Sequence, residues 1–592
     1  MKTLLFAVSV ALCASANATT YYFADCGTGK DPACVIGNDG NSGTSPTTPY
    51  RTSAKFQAVF NAAMPGDRLL LAKGGAWDAV AVTLHNVYSG ASAGNLAAMA
   101  ANPVVVDSYT PSWGAGTAKP RLNGPTTGTA NNPDILMNFS AGESRPDGGY
   151  VVRNLAFEAA GGYHASLAVN LFRWPSNVVF DNLTINGFGW GGWGCAGQAG
   201  YGYPSLITLR NSTITNSGKT GIASFGCSNL VVENNILNNN GFDDQQIATS
   251  QDIIRNHPIY ISGTDANDGS ITTGVVIRNN TLTNNSICPA PGSSGYNPAH
   301  SCTVGKCSAT VIVGHDWASD WVVENNTISN ADGTAGPGCW GIAYSPGNGG
   351  YSEASFRFAI RGNTIVNPGN AAIRTAACQN CLIENNNVIW TPNSVTSAGG
   401  GVYCISAANN AVSASPGTTY QNTNLTIRNN TCYFAKTSDV SRGVTVQSVG
   451  TGHIVTNNLI VFDAQGTNLA SACVDTTGLT MSAFTAFDYN HCYHAASWTP
   501  TQSLAAWRAS AGAPDAHSLA SDPLLIGTPS QSSPGNTAIG AGSPAKSAGT
   551  AAYSAPRDRS TCARPSPPSI GAYEYFAAPC ATKPADGPTQ LR

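Results

Sequence analysis

One short string recurs through the middle of this chain and limits what it can become. Two or three aliphatic or β-branched residues are followed by a charge, then Asn-Asn or Asn-x, then Thr-Ile or an equivalent. Copies end their apolar run at Arg153, Asp181, Arg210, Glu233, Arg278, Glu324, Arg361, Glu384 and Arg428, and a last copy at Thr456 lacks the charge. A second apolar strand stands between most copies: Gly221-Ile222, Pro258 to Ile261, Val311 to Val313, Gly341-Ile342, Ala372-Ile373, Gly401-Val402 and Gly443-Val444. Separate short strands repeated at a coil-length period cannot bury their apolar faces singly, so neighbouring repeats must stack. The fold expected is all-β, a right-handed parallel β-helix, since parallel crossovers are almost always right-handed.

Stacking turns each repeat position into a column with rungs about 4.8 Å apart. The charge column alternates in sign from Arg153 to Arg428. Opposite charges on facing strands attract and like charges repel, so this column reads as a register device on an outward face. The Asn residues after it suit left-handed turn positions and amide stacking along the axis.

The repeats, together with the flanks, resemble the pectate-lyase-like superfamily of secreted β-helix proteins. Tyr21-Tyr22-Phe23, Asp39 to Thr44, Pro49 to Thr52 and Pro65-Gly66-Asp67 resemble its opening segment, which implies a short helix over Ser53 to Ala63 closing the solenoid end. Ile570 to Tyr575 resembles its closing motif. The expected division is 1–18 a signal peptide, 19–100 an N-terminal cap and first coils, 101–500 the β-helix, and 501–592 a loop-rich segment packed on the last coils.

Lys2, the apolar run Leu4 to Leu12 and Ala16-Asn17-Ala18 have the form of an export signal, which implies a secreted or periplasmic protein. No later stretch is long and apolar enough to span a membrane. The chain has 17 Cys, and 16 remain once Cys13 is set aside with the signal. Proximity pairs Cys26 with Cys34, Cys195 with Cys227, Cys404 with Cys432, Cys473 with Cys492 and Cys562 with Cys580. Cys288, Cys302, Cys307 and Cys339 pair among themselves, and Cys378-x-x-Cys381 reads as structural. Charged residues are 10% of the chain and the net charge is -3, which excludes a nucleic-acid footprint. A monomer is expected.

Chemistry is sought on the strand whose outward positions break their own pattern. With Ile222, Ile259, Val311, Ile342, Ile373, Val402 and Val444 inward, the next column reads Ala223, Tyr260, Ile312, Ala343, Arg374, Tyr403, Thr445. Lys219, Arg255 and His257 precede strands of this stack, and His315 with Asp316 follows one. Such a set suits β-elimination on an acidic, uronate-containing polysaccharide. A cation neutralises the carboxylate and acidifies the C5 proton, a base takes that proton, and an acid protonates the leaving oxygen. Lys219, His257, Tyr260, His315 and Asp316 are the candidate catalytic residues, and Arg255, Arg374 and Tyr403 the candidate substrate-binding ones. Hydrolysis by paired carboxylates is the alternative, with Asp243, Asp244 and Asp316 as candidates; a non-catalytic glycan-binding or adhesin β-helix is another. Asp243-Asp244 and Gly314-His315-Asp316 echo two of the four polygalacturonase motifs, and the lyase motifs W-i-D-H and R-x-P-x-x-R are missing. No cofactor is demanded by the sequence. Asp265, Asn267 and Asp268 resemble a Ca²⁺ loop without the distal Glu of an EF-hand.

Overall fold

The computed structural model describes residues 18–113, 117–127, 134–140, 147–159, 166–198, 200–242, 256–264, 271–293, 303–336, 338–344, 354–392, 401–408, 412–414, 418–435, 440–447, 450–463, 471–510, 512, 514–578 and 580. The first 17 residues, with most of the expected signal, therefore lie outside the described residues, as do Asp243, Asp244, Arg255, Asp265, Asn267, Asp268 and Cys302.

Three long parallel sheets run the length of the molecule, each taking one strand from every coil. The first sheet carries the charge column, with strands such as Ser228–Glu233, Val276–Arg278 and Val322–Glu324. The second includes Thr220–Phe225, Ile259–Ser262, Ile312–His315, Ile342–Tyr344, Ala371–Thr375 and Val402–Ala407. The third includes Arg121–Asn123, Ala156–Glu158, Thr184–Asn186 and Thr327–Ser329. Inward residues of all three fill one continuous apolar core, and among them Trp390, Phe434 and Phe462 stack face to face at 4.5 and 4.7 Å.

The two Asn of each repeat divide the corner between the first and third sheets. Asn154, Asn182, Asn211, Asn234, Asn279, Asn325, Asn385, Asn429 and Asn457 take φ between 51° and 59°, the left-handed conformation that turns the chain. The residue after each points inward. Asn235, Asn280, Asn326, Asn363, Asn386, Asn430, Asn458 and Asn490 form a buried amide ladder along the axis. In each rung before the last, Asn490, the side-chain amide donates to a backbone carbonyl of the preceding coil and to the next Asn carbonyl, as Asn326 does to Ile277 (2.9 Å) and Asn363 (3.0 Å). The same Asn363 oxygen also accepts from the Asn326 backbone N–H at 3.0 Å. Backbone groups that a corner would leave buried and unpaired are thereby satisfied.

Outside the first sheet the charges pair as their alternation requires. Arg210 reaches Asp181 at 3.0 Å, Arg278 reaches Glu233 at 2.6 Å, and Arg361 and Arg428 reach Glu324 and Glu384 at 2.8 Å each. Each Arg pairs with the acid one coil before it, and the column starts a coil earlier than the repeat suggested, with Asp107 accepting from Arg153 at 2.7 Å.

Both ends are closed. The helix Ser53–Ala62, capped by Thr52 Oγ1 on the Lys55 N–H, buries Phe56 and Phe60 over the first coils, with Phe60 against Phe139 and Tyr150. At the far end Asp515 accepts from the indoles of Trp498 (2.8 Å) and Trp507 (2.9 Å) and from Asn490, the last rung of the amide ladder. The segment around Ile539, Ala545 and Ile570 covers the outer side of the third sheet, burying Val366, Ile389, Tyr433 and Val461 in a second core.

Seven disulfides occur among the described residues: the five pairs expected from proximity, Cys307–Cys339, and Cys378–Cys381 closed upon itself. Cys288 is disulfide-bonded as well.

Candidate functional site

Pairing across the second sheet fixes which residues share its outer face. Ile222, Ile259, Ile312, Ile342, Ile373, Ile405 and Val444 are in register, all buried. The outward column beside them is therefore Ala223, Tyr260, Val313, Ala343, Arg374, Ser406, Thr445. Two positions differ from the sequence reading: Val313 replaces Ile312, and Ser406 replaces Tyr403. Successive residues are buried there (Val311 with Ile312, Cys404 with Ile405), which breaks strict alternation, and the inward column is held by Ile312 in place of Val311 and by Ile405 in place of Val402. Tyr403 pairs with Ala371 and Arg442 and lies in the neighbouring column of the same face.

Tyr260 is the centre of the first cluster. Its ring stacks on His257 at 5.8 Å, with 20° between planes, and meets Phe225 at 5.4 Å and His315 at 5.6 Å. His315 is reached because Ser262 and His315 are register partners one coil apart. His257 is buried, with Nδ1 2.9 Å from the Thr310 carbonyl oxygen. A carbonyl can only accept, so Nδ1 carries the proton and the ring is held in one tautomer. Burial pushes the His257 pKa down to about 4, so the ring is neutral at pH 7. Asp316 follows in a left-handed turn (φ 64°), accepting from the Ser262 hydroxyl through its carboxylate and from the Tyr344 hydroxyl through its backbone carbonyl.

Lys219 stands one coil earlier, just before the strand Thr220–Phe225, with Nζ 4.3 Å from the centre of the Trp190 ring. Burial lowers its pKa. Further along the face Arg374 lies over Trp340 at 4.6 Å; burial lowers its pKa too, while the neighbouring Tyr403 acts in the opposite sense. Arg442 reaches Asp475 at 3.4 Å. Trp190 and Trp340 were not singled out from the sequence. Both immediately precede a glycine at the start of an apolar strand, Gly191 and Gly341, whereas Lys219 stands two residues before Gly221, so no common spacing marked them.

The structure thus brings Lys219, His257, Tyr260, His315, Asp316, Arg374 and Tyr403 to one sheet, on or beside five of its strands, with Ile342–Tyr344 standing between those of His315 and Arg374. Among the described residues no group of three or more His, Cys, Asp or Glu is gathered to hold a metal ion. The arrangement offers a neutral imidazole behind a phenol, a second imidazole beside it, and desolvated cations on either side along the helix axis.

The family described as Right handed beta helix region matches residues 139–388. No curated protein matches the sequence. Solved structures of similar shape include pectate lyase Pel9A, at 13% identity and a TM-score of 0.37, over 95% of this chain and 98% of that one. An alginate lyase from Paenibacillus sp. str. FPU-7 is similar at 14% identity and a TM-score of 0.35, over 60% of this chain and 95% of that one. A GH136 lacto-N-biosidase from Eubacterium ramulus is similar at 12% identity and a TM-score of 0.43, over 80% of this chain and 68% of that one. With its three parallel sheets wound coil upon coil, this chain is a right-handed parallel β-helix.

Proposed function

We propose that this protein is an exported enzyme that cleaves an acidic, uronate-containing polysaccharide by β-elimination at the outer face of the second sheet. The observation that carries the reading is Tyr260, packed between His257 and His315, with Lys219 one coil before it and Arg374 three coils after. One rung is about 4.8 Å and three are about 14 Å, so a polymer laid along the axis would meet Lys219 and Tyr260 close together and Arg374 further along the chain.

The roles follow from environment. Arg374 binds a uronate carboxylate by charge. Lys219, its pKa lowered by burial, neutralises the carboxylate at the cleaved unit or takes the C5 proton. Tyr260 passes a proton between sugar and protein, with His315 at its edge. His257 is a positioning residue in this scheme: a ring with a pKa near 4 is a weak base, and its hydrogen bond to Thr310 fixes the plane against which Tyr260 stacks. Hydrolysis would need two carboxylates across the bond; Asp316 is turned to Ser262 and Asp475 to Arg442. The disulfides fit an oxidising compartment, and no described helix is long and apolar enough to cross a membrane.

Incubation with a panel of uronate polymers tests the reading, following absorbance near 235 nm for the unsaturated product and, in parallel, reducing ends. Absorbance with at least one polymer is expected. Reducing ends without absorbance would replace elimination with hydrolysis. Neither signal, with retention on a glycan array, would leave a binding protein whose exposed Phe225 and half-buried Trp190, Trp340 and Tyr403 serve as stacking platforms.

A further inference from the structure

A second polar recess lies on a different wall of the solenoid. It is a cavity of about 350 Å3 against the outer side of the third sheet at its N-terminal coils, lined by Lys30, Asp31, Lys119, Arg121, Glu158 and Thr184 with Gly29, Gly74 and Gly75. Arg121, Ala156 and Thr184 are register partners on three successive strands, so the floor is rigid sheet. The roof is the loop closed by Cys26–Cys34, tied down by the Thr28 N–H, which donates to both carboxylate oxygens of Asp78 at 3.0 and 3.1 Å. Glycine is required where roof meets floor: at Gly29, whose φ is 82°, an added Cβ would stand 2.7 Å from Arg121 Nη1.

The charges in this cavity are out of balance. Lys119 donates to Thr184 Oγ1 at 3.0 Å and, among the described residues, makes no ion pair, although burial lowers its pKa. An ammonium partly removed from water without an anion is a standing electrostatic cost. Arg121 donates through Nε to Asn123 at 2.9 Å, and its Nη2 is 3.8 Å from Glu158, too far for a hydrogen bond. Three cations, Lys30, Lys119 and Arg121, thus line the cavity with two carboxylates, Glu158 and Asp31, the latter accepting the Ala33 N–H of its own loop at 2.8 Å. Glu158 accepts from Asn186 at 2.9 Å and keeps acceptor capacity for a hydroxyl.

We propose that this cavity binds a single sugar acid, a hexuronate as free monosaccharide or chain end, with its carboxylate between Lys119 and Arg121 and its hydroxyls on Glu158 and Thr184. A multiply charged phosphate or sulfate is disfavoured by the Glu158 carboxylate, and a neutral sugar leaves Lys119 uncompensated. The volume is at the small end of ligand pockets, which run from about 300 to 1,000 Å3, as one sugar unit requires. The inference stands on the cavity's own groups and does not depend on cleavage at the second sheet.

Isothermal titration of the full chain with galacturonate, galactose and inorganic sulfate tests it. Galacturonate is expected to bind at one site, with galactose and sulfate at least about tenfold weaker, the worth of one charged hydrogen bond. Lys119→Met should weaken galacturonate by a similar factor with the thermal midpoint kept. The exposed Lys30→Ala, which cannot disturb the fold, should give a smaller loss that shrinks with added salt. Tyr260→Phe should bind as the parent does. Galactose or sulfate binding as tightly as galacturonate, undiminished affinity in Lys119→Met, or no binding at all would overturn the proposal. Loss in Tyr260→Phe with none in Lys119→Met would assign the ligand to the second sheet and overturn it equally.

Discussion

The outer faces of the first and second sheets are built by the same coils and do opposite things with their side chains. On the first, Arg and acid alternate rung by rung, every Arg reaching back to the acid before it, so the field cancels within one coil. On the second, Tyr260, Val313, Ala343 and Arg374 follow one another with no repeat; Lys219 and Arg374 stand over the rings of Trp190 and Trp340, while Arg442 pairs with Asp475. A face whose residues satisfy each other holds coils in register. A face whose cations lie over aromatic rings has no such rung-by-rung pattern to serve as register. Within one solenoid, then, regular columns carry register, and the broken column is where we propose the chemistry.

Substitutions that separate the two roles give effects of decreasing size. Tyr260→Phe should lower the elimination rate at 235 nm by roughly 10²–10⁴-fold, the usual contribution of a proton-transferring group, with little change in the unfolding midpoint. Asn326→Leu should do the reverse. It orphans the buried Ile277 carbonyl and the Asn280 N–H, at about 1–3 kcal/mol per group, and should lower the denaturation midpoint while activity per folded molecule persists.

Titration sharpens the contrast further. His257 has a folded pKa of about 4 against an ordinary value of 6.5, so the unfolded chain binds its proton first. The stability tied to its neutral form is whole above pH 6.5 and is lost as pH falls toward 4, on the order of 3 kcal/mol in all. Melting curves from pH 8 to 4 should show that decline, and His257→Gln should flatten it. Arg361→Glu is the gentlest change: it sets three acids in a row with Glu324 and Glu384, costing about 1 kcal/mol, and the deficit should fall as salt screens the column.

The fold was legible because β-helix columns write themselves into the sequence. The alternation from Arg153 to Arg428 and the Asn-Asn corners each have one simple geometric meaning, and cysteines on neighbouring coils pair because stacking brings them together. What the sequence did not disclose depends on a break in alternation. Val311 with Ile312, and Cys404 with Ile405, are buried in succession, and no composition marks the break in period two, so Tyr403 was assigned one column away from its place. The division between the paired Asn was equally hidden: identical residues, one turning the chain with positive φ and one buried as a ladder rung, are told apart only by backbone direction. Trp190 and Trp340 as cation platforms depended on side-chain direction, which spacing alone does not give.

Hydrogen–deuterium exchange on the Tyr260→Phe chain, with and without a saturating uronate oligosaccharide, compares the two faces in one experiment. Protection is predicted over Ile259–Ser262, Ile312–His315 and Ala371–Thr375 of the second sheet, with none added at Val276–Arg278 or Val322–Glu324 of the first. Protection centred on the charge ladder, with the second sheet unchanged, would contradict the account.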